Sequence, residues 1–370
     1  MIYLDNAATT FPKPRSVIVA LNKCVKEYCG NPGRSSHALS VKSDEKIYET
    51  RELIAGLIGA DEAEGVVFTY NATYALNLAL KTFITEPCHI ICSDVEHNAV
   101  IRPLEKLRDS LNIDYSLFES GGDVVKSIKS LIRPNTRGIV STLASNVTGK
   151  RINPELLSRV AKENNLFLIL DASQAVGHCD INLKKTPCDV LCAPAHKALF
   201  GIQGAGFAYF KDKNRKESFI EGGSGFDSRD IYMPRLLPEA YEAGTLSTPA
   251  IVSLGAGVRF VSEISIPEIE SKLNSMTLEL IDRLRTVPGV SLYPSESGIV
   301  SFGYKGFPSG YVARALDNLG ICTRGGLHCA PSAHKLLGTL DLGTVRISLS
   351  YLNTRRDIDR VYRAVSMLDI

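Results

Sequence analysis

A lysine set between a strand and a glycine-rich turn can serve as an amine nucleophile, and Lys197 stands in such a place. The segment reads Pro194-Ala195-His196-Lys197, trailed by Gly201-Ile202-Gln203-Gly204-Ala205-Gly206. Lysine is rarely buried unless it is used. Withdrawal from water would lower its pKa and make it competent for Schiff-base chemistry. The plainer reading is a surface lysine beside a helix start. Asp171, in Asp171-Ala172-Ser173-Gln174, directly follows an apolar run over 166–170. Alone, such an aspartate reads as a cap or turn residue, yet it would also sit at the mouth of a sheet. Asn71-Ala72-Thr73 follows the strand pattern over 65–69 and opens a helix. Free backbone N–H groups and the helix dipole suit that junction to an anion, and Thr73 adds a hydroxyl; otherwise it is a plain N-cap.

Together these residues say more than singly. An amine for a Schiff base, a carboxylate to hold a pyridinium nitrogen protonated and a helix N-terminus for phosphate are three fittings that pyridoxal 5'-phosphate (PLP) needs. A fourth group is a thiol. Arg324-Gly325-Gly326-Leu327-His328-Cys329-Ala330-Pro331 carries two glycines, which favour a mobile loop. It presents Cys329 beside a histidine and five residues after an arginine. Cationic neighbours favour thiolate, so Cys329 reads as a nucleophile, against the alternative of a buried structural cysteine. That alternative suits Cys192 and Cys322 better.

The elements that must position these groups alternate. Strand patterns at 65–69, 89–93, 138–142, 166–170, 189–192 and 207–210 are separated by helical patterns, among them 100–111 and 154–164. This implies an α/β fold with a mostly parallel sheet flanked by helices. Ligands in such sheets sit at the carboxyl ends of the strands, where most of the polar residues above fall. The first fifteen residues read as an extended arm, with Pro12 and Pro14 barring a helix there. A helical pattern covers 36–58. Beyond residue 250 helices at 252–265 and 267–284, short strands at 290–293, 299–304, 320–323 and 345–348, and a helix at 354–368 suggest a smaller α+β lobe. The expected division is a large domain over 15–250 and a small domain made of 251–370 with the arm 1–14.

Bulk properties bound the partners. The chain has 370 residues, 44% hydrophobic and 22% charged, and 42 basic against 40 acidic side chains give a net charge of +2. Neither nucleic acid nor an anionic membrane is an expected partner, since such binding rests on clustered charge. No apolar run looks long enough to span a bilayer, and no signal peptide is visible. Nine cysteines, an odd number, argue for reduced thiols rather than a disulfide framework. The expectation is a cytoplasmic protein.

The sequence resembles the class V aminotransferase family of fold-type I PLP enzymes, and within it the cysteine desulfurase and selenocysteine lyase branch, nearer the group II desulfurases. The resemblance runs end to end through residues 3–10, 31–34 (Asn-Pro-Gly-Arg, ending at Arg34), Glu96-His97-Asn98, 145–149, 171–174, His196-Lys197, 241–245 and 324–330. It implies that Lys197 links PLP and moves the substrate Cα proton, that Asp171 pairs with the ring nitrogen, and that His97 stacks on the ring and is catalytic, assisting proton transfer. Gln174 would bond the phenolic oxygen. Asn146 would face both cofactor and substrate. Ala72, Thr73 and His196 would hold the phosphate, with Gly244 and Thr245 reaching it from a neighbouring subunit of a homodimer. Arg346 would fork onto the substrate carboxylate, a geometry arginine suits. His37 and Arg324 fall in segments that line the substrate side. Cys329 matches the cysteine that forms a persulfide, for delivery to a sulfur-acceptor protein. Pro194 departs from the family pattern, which carries a hydroxyl residue there as a phosphate ligand; proline cannot donate. Residues 201–204 also replace a proline-bearing version.

The expected substrate is L-cysteine. A selenocysteine lyase or related β-lyase, and an aminotransferase on the same fold, are the near alternatives; the last would have no use for Cys329. A cysteine hydrolase pairing Cys329 with His328 or His334 would leave Lys197 without purpose. Cys88 with Cys92, and Cys188 with Cys192, bracket strands at a spacing too long to share a metal, so they read as packing.

Overall fold

The computed structural model describes residues 1–33, 35–213, 219–226 and 229–368; Arg34 lies outside them. Thirteen strands and eleven α-helices follow one another among these residues. They begin with β1 (Ile2–Tyr3), α1 (Arg15–Glu27), α2 (Ala38–Ile58), β2 (Val66–Thr69), α3 (Ala72–Phe83), β3 (His89–Ser93), α4 (Asn98–Leu111) and β4 (Asp114–Phe118). Next come α5 (Val124–Leu131), β5 (Thr136–Thr142), α6 (Pro154–Glu163), β6 (Phe167–Asp171), β7 (Val190–Pro194) and β8 (Gly206–Phe210). The C-terminal part comprises α7 (Thr248–Ile264), α8 (Ile266–Arg285), β9 (Val290–Leu292), β10 (Ile299–Tyr304), α9 (Ser309–Asn318) and β11 (Ile321–Cys322). It closes with β12 (Arg324–Gly326), α10 (Pro331–Leu337), β13 (Thr344–Ser348) and α11 (Arg355–Ser366).

The large sheet has seven strands in the order β2-β8-β7-β6-β5-β3-β4. Only β8 runs against the rest, antiparallel to both β7 and β2. The carboxyl ends of six strands therefore open on one edge. Apolar side chains alternate across the sheet as the pleat requires. Ile91, Ile139, Leu168 and Leu191 pack into one core, whereas Ile90, Val140, Ile169 and Val190 pack into another on the opposite face. Cys88, Cys92 and Cys192 belong to the second core and Cys188 to the first. Among the described residues no group of three His, Cys, Asp or Glu side chains is placed to hold a metal ion.

A four-stranded antiparallel sheet, β12-β13-β10-β9, forms the second layer with α8, α9 and α11. Its core combines Val300, Phe302, Val345 and Ile347 with Ile2 and Leu4 of the arm. Helix α7 joins the two bodies: Ala250, Ile251, Leu254 and Val258 pack into the first core and Val261 into that of the smaller sheet. Gly257 makes that crossing possible, since a Cβ there would stand 1.8 Å from the Leu199 carbonyl oxygen. Among the described residues no single helix is both long and apolar enough to cross a membrane.

Candidate active site

Five loops leave the carboxyl edge of the large sheet and meet around a cavity of about 220 Å³. After β2, Asn71 caps α3 by accepting from the Tyr74 amide at 2.9 Å. That leaves the Ala72 and Thr73 amides with no partner among the described residues, at a helix end where the dipole favours an anion. Gly206 allows the approach, because a Cβ would lie 2.8 Å from the Asn71 carbonyl carbon. After β3, His97 caps α4 through its Nδ1, which accepts from Ala99 N at 3.0 Å. The ring proton must then sit on Nε2. Burial lowers the His97 pKa, so the ring is neutral at neutral pH.

Glu96, next to it, is fully buried. Its Oε1 accepts from Ser93 Oγ and from Thr142 N, the latter at 2.7 Å, and its Oε2 has no partner among the described residues. Burial raises its pKa to about 8. The carboxyl group thus bolts the end of β3 to the end of β5 as a neutral acid. Sequence reasoning quoted Glu96 only as part of a motif; its role depends on its depth, which the sequence does not show.

Asp171, the last residue of β6, is buried and lines the cavity. Lys197, three residues beyond β7, lines the same cavity. Its pKa falls to about 8, chiefly because the amine leaves water; Asp171 pulls it up, and Arg346 and Arg324 push it down. His196 lies at the same place with a buried Nδ1 that has no partner among the described residues. Desolvation takes its pKa to about 4, so it is an uncharged ring. Pro194 also lines the cavity, at the end of β7. Gln174 does so too, and its Nε2 donates to the Ala7 carbonyl at 2.9 Å.

The smaller sheet supplies the opposite wall. Arg346 is 1% exposed; Nη1 donates to Asn146 O at 2.9 Å and Nη2 to the Asp5 carboxylate at 2.7 Å. Its Nε is buried without a partner among the described residues. Arg324 lies opposite Arg346 in the β12–β13 ladder and also lines the cavity.

Two expectations about Cys329 need correction. The two glycines do not make a mobile loop: Gly325 and Gly326 are in β12, paired with β13, and only a short turn separates them from α10. His328 and Cys329 both take left-handed backbone, at φ 50° and 58°, a cost of about 1–2 kcal/mol per residue. Hydrogen bonds hold it there. Asn146 Nδ2 donates to His328 O at 2.6 Å and Asn98 N to Cys329 O at 2.7 Å. Nor is His328 a cationic neighbour of the thiol. Its buried ring bonds Thr344 at 3.1 Å, and desolvation drives its pKa to about 2. The nearby cation is Arg324, with Nη2 at 4.0 Å from Cys329 Sγ. The thiol is exposed. His334 bonds Thr339 at 2.7 Å and is buried, so neither histidine is arranged to activate Cys329.

Cys329 borders the cavity through Arg324 without lining it, and three further expected site residues stand apart. His37 is exposed and caps α2, its Nδ1 accepting from Ser40 N at 3.2 Å. Gly244 lines a separate cleft of about 650 Å³ beside α2, and Thr245 a small cavity against Tyr70 and Tyr74. Another cleft, of about 710 Å³, lies between α1, α2 and α7. None of these holds Lys197, Asp171 or Cys329.

Known proteins of the same build exist. A probable cysteine desulfurase of Methanothermobacter thermautotrophicus is 31% identical, covering 96% of this chain and 92% of its own. A cysteine desulfurase of Wigglesworthia glossinidia brevipalpis is 28% identical over 99% of this chain and 92% of its own. The solved apo structure of a cysteine desulfurase from Thermococcus onnurineus NA1 superposes with a TM-score of 0.92 at 28% identity, covering 99% of this chain and 94% of that one. The family model for aminotransferase class-V matches residues 2–361, so a cavity built from Lys197, Asp171 and the α3 N-terminus lies in a chain that belongs to the aminotransferase class-V family.

Proposed function

We propose that this chain is a PLP-dependent cysteine desulfurase, which takes sulfur from L-cysteine, releases L-alanine and holds the sulfur as a persulfide on Cys329 for an acceptor. The observation that carries this reading is the exposed Cys329 thiol, 4.0 Å from an arginine that lines the Lys197 cavity. An aminotransferase would have no use for that thiol. The names of the relatives above agree with the reading.

The residues present fit PLP. The unpartnered amides of Ala72 and Thr73 and the orphaned His196 Nδ1 suit its phosphate, which offsets the missing donor at Pro194. Asp171 suits the ring nitrogen, His97 the ring face and Gln174 the phenolic oxygen. When bound, PLP supplies an electron sink for the substrate carbanion. Lys197, with its lowered pKa, holds the cofactor and then carries the Cα proton. Arg346 receives the substrate carboxylate through donors its protein partners leave free, beside Asn146. Cys329 attacks the substrate sulfur as a thiolate. A sulfur–sulfur bond forms as the Cβ–S bond breaks, and a proton returned to carbon completes alanine. Gly244 and Thr245 lie outside this cavity, and in a homodimer they would meet the phosphate site of a second copy. The requirement for a free Cys329 thiol suits the cytoplasm.

The test is alanine release from L-cysteine by the PLP-loaded protein, beside Cys329→Ala and Lys197→Ala. Alanine from the wild type alone supports the reading. A wild type that binds PLP but makes no alanine overturns it and directs attention to selenocysteine and to amino-group transfer.

A further inference from the structure

The loop that presents Lys197 has little regular structure of its own between β7 and β8. The N-terminal arm holds it from behind. Thr10 N donates to the His196 carbonyl at 3.0 Å, and Lys13 Nζ reaches the same oxygen at 3.1 Å. Lys13 Nζ also donates to Thr10 Oγ1 at 2.8 Å. Thr10 Oγ1 lies 3.1 Å from both the His196 and the Lys197 carbonyl oxygens. A hydroxyl has a single proton. With His196 O already served by Thr10 N and Lys13, that proton belongs on Lys197 O. Phe200 N, at 2.9 Å, also donates to Lys197 O. Thr10 is buried, Lys13 is half-buried, and no carboxylate pairs with Lys13 among the described residues. A lysine withdrawn from water and set only against neutral oxygens has a task that a salt bridge would not explain.

We propose that Lys13 and Thr10 are positioning residues for Lys197, clamping the carbonyls of residues 196 and 197 so that the amine is presented to the cavity in one orientation. The inference rests on Lys197 being the cofactor-linked lysine, and not on the identity of the substrate. Neither residue lines the cavity, so they act through the main chain. A misplacement of about 1 Å at a reacting group can cost on the order of 100-fold in rate.

The full-length enzyme is tested as Lys13→Met, Thr10→Val and Thr10→Ser, with two readouts. The first is the rate at which added PLP links to Lys197 after the resident cofactor has been removed, followed by visible absorbance. The second is kcat and KM for L-cysteine in the loaded enzyme. Lys13→Met and Thr10→Val are expected to slow linking and to lower kcat by about 10- to 100-fold. KM should stay within about twofold, because Arg346 and Asn146 are untouched, and Thr10→Ser should return close to wild type. Linking at the wild-type rate in both Lys13→Met and Thr10→Val overturns the proposal. So do losses that follow the melting temperature and are shared equally by Thr10→Ser, which would mark a structural role only. If the wild type makes no alanine while the variants still slow linking, the desulfurase reading fails and the clamp stands.

Discussion

Asp5 and Arg346, 341 residues apart in sequence, share an ion pair of 2.7 Å that ties the N-terminal arm to β13 at the wall of the cavity. The arginine is 1% and the aspartate 21% exposed. Asp5 therefore fixes the guanidinium that is expected to meet the substrate carboxylate. Asp5→Asn should raise KM for the amino acid several-fold with a smaller change in kcat. It should also cost about 1–3 kcal/mol of stability, because a buried donor loses its charged partner. Steady-state kinetics and urea denaturation check both; an unchanged KM would remove Asp5 from substrate recognition.

Lys197 should show its burial as a pH profile. The folded pKa is about 8 against an ordinary 10.5. Between those values the unfolded chain holds a proton that the folded one has released, so this group adds stability as pH rises from about 8 towards 10.5. The rate of PLP attachment should follow the neutral amine, climbing about tenfold per unit below pH 8 and levelling above it. Asp171→Asn removes the charge that raises the pKa and should move the midpoint lower. A midpoint near 10.5 in the wild type would refute the burial argument.

Glu96 gives the opposite dependence. Its folded pKa is about 8, raised from 4.5. The folded protein keeps a proton the unfolded chain gives up, so this contribution is complete below pH 4.5 and is lost as pH rises through about 8. Glu96→Gln keeps an acceptor for Thr142 N without the titration. Its stability curve should be flatter across that window, by a few kcal/mol, on the order of 2–5. Parallel curves for variant and wild type in pH-dependent melting would count against a neutral Glu96.

Gly257→Ala tests the contact between α7 and the Lys197 loop. The added methyl would collide with Leu199 O. Backbone must move, at a cost of about 1–3 kcal/mol or more. Because Leu199 is two residues from Lys197, PLP attachment should slow as well. A variant with wild-type melting and attachment would show that the helix can shift freely.

Much of this arrangement is legible from residue types. The apolar runs that became β3, β5, β6 and β7 announce a buried parallel sheet; Asp171 ends β6, and Lys197, His97, Asn146 and Thr73 follow strands, where such a sheet opens. The weaker elements had no comparable signal. β4 is an edge strand, Asp114-Tyr115-Ser116-Leu117-Phe118, with exposed and half-buried positions preceding Phe118. α5 has eight residues, and α1 follows directly on the proline-rich arm. The reversal of β8 leaves no trace in its sequence, since the pleat alternates the same way in either direction.

The chemistry around Cys329 was harder to read for a related reason. Glycines at 325 and 326 suggest freedom, but ladder pairing with β13 overrides local preference. His328 is adjacent to Cys329 in the chain, yet its ring turns inward to Thr344 while the thiol faces out. His37, in a matching segment, caps a helix instead of reaching the cavity. Neighbourhood in sequence fixes the main chain's order, and only packing decides where each side chain goes.

The tethering of the Cys329 turn by Asn146 and Asn98 limits the travel of the sulfur. A thiol on a swinging arm could ferry its cargo outward; one pinned at both adjoining carbonyls works as a fixed berth. Under the desulfurase reading, the vessel that collects the sulfur must bring its own nucleophile to the berth and dock against the surface around it.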